Sequence, residues 1–496
     1  MRPDQPIGAP PRRLAHRLPM SLRRHWKLLA LFVVFVTVMA TVFGGTRIRP
    51  QITGDISVIA SEITDNITGT VDLFDDSVTH ELSLEITDAE YQDMITSFQK
   101  SGDKKWVTAD LTIDGTFVDD VSVRLKGNST LMAVRGKDFS PPDGMEPPEG
   151  FELPADMPSG GSMAGMGMSA SAEDPTSLPL LISFDENVSG RGYQGMTELS
   201  VRPGTPMLNE ALALSLTAET DQPTQRYGYV VYSVNDSATT TRLLLEHPDD
   251  TYANALFDSD GYLYKADANS RFEYAGDDQS AYADQFTQIN AVGSGNLQPI
   301  IDLLKWLDSA DDAEFDAHLA DRVDVTSFAR YVATQNLLVN GDDMAGPGQN
   351  YYLWYDLETE KFTVVSWDLN LAMHGGTTAG PHDSVSLGFG RRGGAAENPE
   401  AGTDGAPGGG MPSRGGHALK SRFLASQAFT SRYEAAYWEL TDRVYSSGLA
   451  VELLDRLAET VPVSDGLSAQ TLNEKVAEMR TWIDQRTTAL AGLRPA

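Results

Sequence analysis

Asn340-Gly341-Asp342-Asp343-Met344-Ala345-Gly346-Pro347-Gly348-Gln349-Asn350 runs directly into Tyr351-Tyr352-Leu353-Trp354-Tyr355-Asp356. A polar turn, Leu357-Glu358-Thr359-Glu360, then leads to Lys361-Phe362-Thr363-Val364-Val365-Ser366-Trp367-Asp368-Leu369-Asn370. Aromatic and β-branched residues on both sides of a four-residue turn predict a β-hairpin. Centring the turn sets Asn350 opposite Trp367 and diagonal to Asp368, with Cβ atoms roughly 5–8 Å apart. At that distance the two side chains can ligate one cation.

Phosphoryl transfer needs a carboxylate to take the hydroxyl proton and hard oxygen ligands to hold a divalent cation on the nucleotide phosphates. Protein kinases supply a catalytic Asp, a metal-binding Asn, a short hairpin and a metal-binding Asp, in that order. Asp342 or Asp343, then Asn350, the hairpin and Asp368 follow the same order. Spacing alone also suits a Gly-rich loop in which Asp and Asn merely form turns.

Around this stretch the chain has 496 residues and a formal net charge of −32, with no cysteine. Disulfides, thiolate nucleophiles and Cys-based zinc sites are therefore excluded. The first 50 residues carry nine Lys/Arg and one Asp, so the remainder carries a net charge of −40. So acidic a body repels nucleic acid. Arg12, Arg13, Arg17, Arg23, Arg24 and Lys27 precede an uncharged apolar run, Leu28–Gly45. At about 1.5 Å per residue that run spans roughly 27 Å, close to a bilayer's hydrocarbon thickness. It predicts a basic cytoplasmic tail (1–27), a single transmembrane helix (28–45) and a main domain outside the cell membrane. A cleaved signal peptide is the rival reading, with a shorter apolar core as its usual mark.

Residues 46–73 read as a polar stalk, and 74–496 as one domain. Val107, Ala109, Leu111 and Ile113 alternate, as do Val121, Val123 and Leu125 beyond the Asp114-Gly115 turn, predicting a second hairpin. Further strands are expected near Leu180–Phe184, Arg226–Val234 and Arg242–Glu246, and helices at Leu297–Leu307 and Val325–Leu338. Leu419–Leu493 is predicted helical almost throughout. Two segments rich in Pro, Gly and Met or in Gly, at 141–175 and 374–416, read as mobile insertions. The order is β-rich, then mixed, then helical: an α+β layout. No Gly-x-Ser-x-Gly elbow and no His-Glu-x-x-His helix is present, which removes serine-hydrolase and zinc-hydrolase chemistry.

Asn350-Tyr351-Tyr352-Leu353 with Ser366-Trp367-Asp368-Leu369-Asn370 resembles the signature of the CotH family, the spore-coat-type protein kinases. Four other blocks fit the family in order. They are Val123–Ser129, Leu178–Asp185 with Tyr193-Gln194-Gly195, Gly261-Tyr262-Leu263-Tyr264-Lys265, and Leu337–Asp342. The similarity is read from about Leu82 to the C-terminus. The resemblance implies an atypical protein-kinase-like fold using ATP with Mg²⁺ or Mn²⁺, and a protein acceptor on the cell surface or secreted. It implies Asp342 as catalytic base with Asp343 the alternative, and Asn350 and Asp368 as metal ligands. Glu246 would lie beside the adenine, and Lys126, Arg124 and Lys265 would contact the nucleotide phosphates.

Three positions depart from the family. Leu181 stands where relatives have Lys; Gly204–Glu210 keeps a Glu but lacks an Asp and an Arg; Thr240-Thr241-Arg242 replaces a Gly-x-Tyr. All lie on the nucleotide side, so either another cation substitutes, with Lys126 or Arg124 nearest, or transfer is lost. The alternative function is then an inactive surface scaffold or adhesion protein with a structural cation site.

Overall fold

A computed structural model describes residues 63–127, 129–135, 170–268, 270–291, 296–385 and 417–495. The basic tail, the predicted span at 28–45 and most of both insertions lie outside the described residues. Among the described residues no helix is long and apolar enough to cross a membrane.

The N-terminal part is a closed barrel. Its strands are β2 (His80–Glu85), β3 (Val107–Ile113), β4 (Thr116–Leu125), β5 (Leu180–Ser183), β7 (Glu198–Val201), β9 (Thr240–Glu246) and β8 (Tyr227–Val234), in that spatial order. Neighbours are antiparallel except where β8 closes onto β2 in parallel, with His80 opposite Val230. Alternation fills the lumen: Leu82, Leu84, Leu111, Val121, Val123, Ile182, Leu199, Val230 and Leu244 form one buried cluster. Helix α1 (Asp88–Ser101) packs Met94, Ile95 and Phe98 on it. Thr87 caps its start, and Gly102 ends it at φ 76°, a backbone that glycine adopts without Cβ strain.

Part of the expected stalk belongs to the domain. β1 (Asp65–Ile67) pairs in parallel with β6 (Arg191–Tyr193), and Leu73 is fully buried in the barrel cluster. The described ends of the expected insertions are also ordered into the fold. Ala170 is buried, and Thr377 and Ala379 accept hydrogen bonds from Arg486.

A second sheet, β11 (Phe286–Gln288), β10 (Gly261–Ala266), β12 (Tyr351–Asp356) and β13 (Phe362–Ser366), is antiparallel throughout. One face gives Tyr262, Tyr264, Tyr351 and Leu353 to the helical core; the other gives Leu263, Tyr352, Trp354 and Val365 to a small cluster with Trp367. The helical core is built from α2 (Leu208–Glu219), α4 (Gln298–Ser309), α6 (Val325–Leu337), α7 (Ala418–Ala425), α8 (Gln427–Thr441), α9 (Leu449–Thr460) and α10 (Ala469–Leu493). Of two short helices, α5 (Asp312–His318) adds Phe315 to it, while α3 (Tyr252–Leu256) packs Tyr252 and Ala253 into the Trp367 cluster. The α+β order expected from the sequence is therefore the observed one.

Arg486 on α10 is wholly buried and closes the open end of α6. Its guanidinium donates to the backbone oxygens of Asn336 at 3.1 Å, Leu337 at 3.2 Å and Thr377 at 2.9 Å, and to Ala379. Terminal helix carbonyls lack intrahelical donors, and burying them unpaired is costly. Arg486→Met should therefore lower stability by about 3 kcal/mol or more, read as a lower midpoint in urea denaturation. A midpoint equal to wild type would show that the cap is dispensable.

Candidate functional site

The β12–β13 hairpin has the register set by its turn: Tyr351 lies opposite Ser366 and Tyr352 opposite Val365. Asn350 thus enters the hairpin level with Trp367. The loop before it starts where α6 stops. Val339 turns there at φ 51°, a left-handed conformation rare for a β-branched residue. Asn340 is buried, donates to Gln335 Oε1 at 2.7 Å and accepts from Asp342 N at 3.2 Å.

These bonds aim two adjacent carboxylates in different directions. Asp342 Oδ1 accepts from Gly348 N at 2.7 Å, and Asn350 Nδ2 donates to both Asp342 O and Oδ2 at 3.0 Å. A Cβ on Gly346 would lie 2.4 Å from Asp342 Cα, and one on Gly348 2.7 Å from Asp342 Oδ2, so the loop closes only over glycines. Asp343 instead takes Ala345 N at 2.9 Å and an ion pair with Lys420 of α7. Asp342 is thus the member of the pair that shares a side with Asn350.

Asp368 follows β13 at φ 52°, ψ 61°. With Gln349 and Met373 also at positive φ, strained backbone gathers around this loop. Asp368 is held by a residue that the sequence reading did not single out. Arg202, just past β7, forms an ion pair with Asp368 Oδ1 through Nη2 and donates to Glu210 Oε2 at 2.8 Å through Nε. Burial works against the guanidinium's charge, but Asp368 and Glu210 together overcome it and raise its pKa. Asn209, next to Glu210 on α2, donates to Asn370 O at 2.6 Å and Ala372 O at 3.1 Å. The departure at Asn209 therefore still has a partner beyond Asp368. The one available sequence signal for Arg202 is a charge at the end of an apolar strand, ahead of the retained Glu210.

Other cations gather around Trp367. Lys126 Nζ sits 4.9 Å and Lys265 Nζ 5.8 Å from its ring centroid. Lys126 is half-buried, donates to Ser200 Oγ at 2.7 Å, and is pushed well below the usual lysine pKa by burial of its head group and then by Arg202. Arg124 stacks 4.7 Å over Trp106 and stands directly across from Leu181 in the β4–β5 pairing. A cation thus faces the position where relatives carry lysine, although Arg202 and not Arg124 is the one that touches Asp368. Lys104 is pushed down to about 8 by burial and by Arg124 and Lys265. The Glu246 carboxylate is gripped by Arg226, at 3.1 Å from Nε and 2.8 Å from Nη2. It is not part of the Trp367 group.

The donor set fits a hard divalent cation. Asn350 commits its Nδ2 to Asp342, which leaves Oδ1 outward, and Arg202 contacts one Asp368 oxygen, which leaves Oδ2. No group of three His, Cys, Asp or Glu side chains in metal-binding array occurs among the described residues. One carboxylate oxygen and one amide oxygen suit a cation that keeps waters and phosphate oxygens in its shell. Burial, offset by the Gly348 bond and reinforced by Asp368 and Asp343, pushes Asp342 up to about 6.

Oxygen ligands beside the buried Arg202 and half-buried lysines make a site suited to a phosphorylated ligand and its counter-ion. The chain matches the family described as CotH kinase protein over residues 204–490, more than half its length. It belongs to that family, whose function is kinase-like. The match takes in Glu246, Lys265, Asp342, Asp343, Asn350 and Asp368, and begins after Arg124, Lys126 and Arg202. The comparison with curated proteins found no match.

Asp342's raised pKa has a sign that can be checked without metal. A carboxyl that binds its proton more readily folded (about 6) than in its usual state (3.8) contributes stability below the lower value. That contribution is lost as pH rises through about 6. In a chelating buffer, Asp342→Asn should gain thermal stability on wild type between about pH 4 and pH 7.5. A Tm difference that is constant across that range would contradict it.

Proposed function

We propose that the chain is an exported, membrane-tethered phosphotransferase that moves the γ-phosphoryl group of ATP to hydroxyl groups of surface or secreted proteins. The observations that support this are that Asn350 holds Asp342, that the charge of Asp368 acts on Asp342, and that Asp368 pairs with Arg202 near Lys126. Asp342 is the base: it accepts the acceptor hydroxyl's proton as the new oxygen–phosphorus bond forms and the bond to the β-phosphate oxygen breaks. Its environment supports that role, because a carboxyl near 6 is poised to take and return a proton around neutral pH. Arg202 and Lys126 meet the phosphate charge in the place left by Leu181. Asn350 Oδ1 and Asp368 Oδ2 are the protein ligands for Mg²⁺ or Mn²⁺, which would offset charge on the β- and γ-phosphates when bound. Family membership supports nucleotide use. The apolar run at 28–45 behind a basic flank supports the tether and an extracytoplasmic domain.

Two variants of the full chain separate binding from chemistry. Asp368→Ala should abolish Mg²⁺-dependent ATP binding measured by calorimetry. Asp342→Asn should keep that binding and lose transfer to protein by about 100-fold or more, as expected for a general base. ATP binding indifferent to Asp368→Ala would sink the enzyme reading in favour of a structural cation site on a surface scaffold, the role that the lysine lost at Leu181 would suit.

A further inference from the structure

In the ammonium form, the one that can meet a phosphate, Lys126 has three hydrogens to place, and two are accounted for. One goes to Ser200 Oγ at 2.7 Å and one to His247 Nδ1 at 3.0 Å. Among the described residues there is no third acceptor; the Trp367 ring lies at 4.9 Å, and Arg202 and Asp368 exert the strongest charge effects on the head group. His247 follows β9 directly and is itself held. Its backbone N donates to Glu198 O at 3.3 Å, its Nε2 stands 3.5 Å from Glu198 Oε2, and Trp367 meets the ring edge-on at 5.4 Å.

The hydrogen on this ring can be assigned by elimination. Burial, added to the surrounding Lys126, Lys265, Arg124 and Arg202, keeps the imidazole well below its usual pKa, and so neutral. A neutral imidazole carries one N–H. With Lys126 donating to Nδ1, that hydrogen sits on Nε2, facing Glu198. Glu198 is half-buried near Arg124 and Lys126, and desolvation pushes its carboxyl up to about 7. Nothing in the phosphotransfer steps uses Glu198 or His247 directly. Their geometry is a bracket that joins β7, the end of β9 and the Lys126 head group.

A lysine head is a point charge on a flexible stem, and fixing it in advance removes the ordering cost that a ligand otherwise meets. We propose that His247 is a positioning residue for phosphate capture: backed by Glu198, it holds Lys126 through Nδ1 so that the third N–H is presented to the nucleotide phosphates beside Asp368. This rests on the phosphotransferase reading, and the tests below fail separately from it.

The bracket is read without nucleotide by selective ¹⁵N-histidine labelling of the full chain. His247 should appear as the neutral Nε2–H tautomer at pH 6, and Lys126→Met should shift its Nδ1 resonance. An Nδ1–H tautomer, or an imidazolium at that pH, overturns the bracket whether or not the chain binds ATP. Its effect is read by binding. His247→Ala should weaken ATP by about ten- to hundredfold, as for loss of a charge-assisted hydrogen bond, and leave adenosine unchanged. His247→Asn, whose Oδ1 can accept from Lys126, should recover most of that loss. In a Lys126→Met background, His247→Ala should add nothing. An equal loss for adenosine, no rescue by Asn, or additive losses in the double variant would each reduce His247 to a packing residue. Wild-type chain that binds no ATP while His247 shows the expected tautomer would leave the bracket standing and overturn its link to phosphate capture.

Discussion

A guanidinium taken out of water needs its charge met on the spot, and Arg202 meets that requirement with two carboxylates from different parts of the chain. Glu210 comes from α2 and Asp368 from the end of β13, so the pairing fixes a barrel strand, the central helix and the hairpin to one another. Removing any member would leave a buried charge facing an apolar surround. α2 reinforces this from the neighbouring position, since Asn209 holds the backbone just beyond Asp368. The left-handed backbone at Asp368 is thus maintained from two sides. That is the condition under which a strained conformation persists.

The second organising constraint is charge contrast. A chain with formal charge −32 gathers Lys126, Lys265, Arg202, Arg124 and Lys104 near two tryptophans. Burial first, and then neighbouring cations packed this closely, loosen the hold on protons, which is why Lys126 and Lys104 are depressed. Aromatic faces offset part of that repulsion without adding negative charge that would compete for the cations. A polyanion entering such a place gains from every one of them, and the acidic remainder of the surface discourages it from settling elsewhere.

What the sequence could reveal was what is local. The hairpin register followed from a turn flanked by two runs of matching chemistry, and the β3–β4 hairpin from strict alternation on both sides of Asp114-Gly115. Asp342, Asn350 and Asp368 were found because they lie on one short stretch. Arg202 was missed because its partner Asp368 is 166 positions away and no pattern links them. α2 was missed for a different reason: Leu208–Glu219 is buried almost all round, so it has no polar face to mark a helical period. For Glu246, position along a strand does not say which side its carboxylate turns to or that Arg226 holds it. Barrel closure was invisible, since it joins His80–Leu84 to Val230–Val234 across some 150 residues of chain.

That closure has a consequence for the order in which the molecule can assemble. β2 is made early, and its parallel partner β8 only after α1, four barrel strands and α2 have followed. Until then a strand edge with bare amides and carbonyls stands open on a growing chain, and the ring cannot seal by local folding alone. Sealing must wait for a long-range meeting, which makes it a slow step and the period of greatest exposure to wrong partners. Once sealed, the barrel has no edge left to offer. The surface that is most vulnerable during synthesis is therefore the one that disappears from the finished protein.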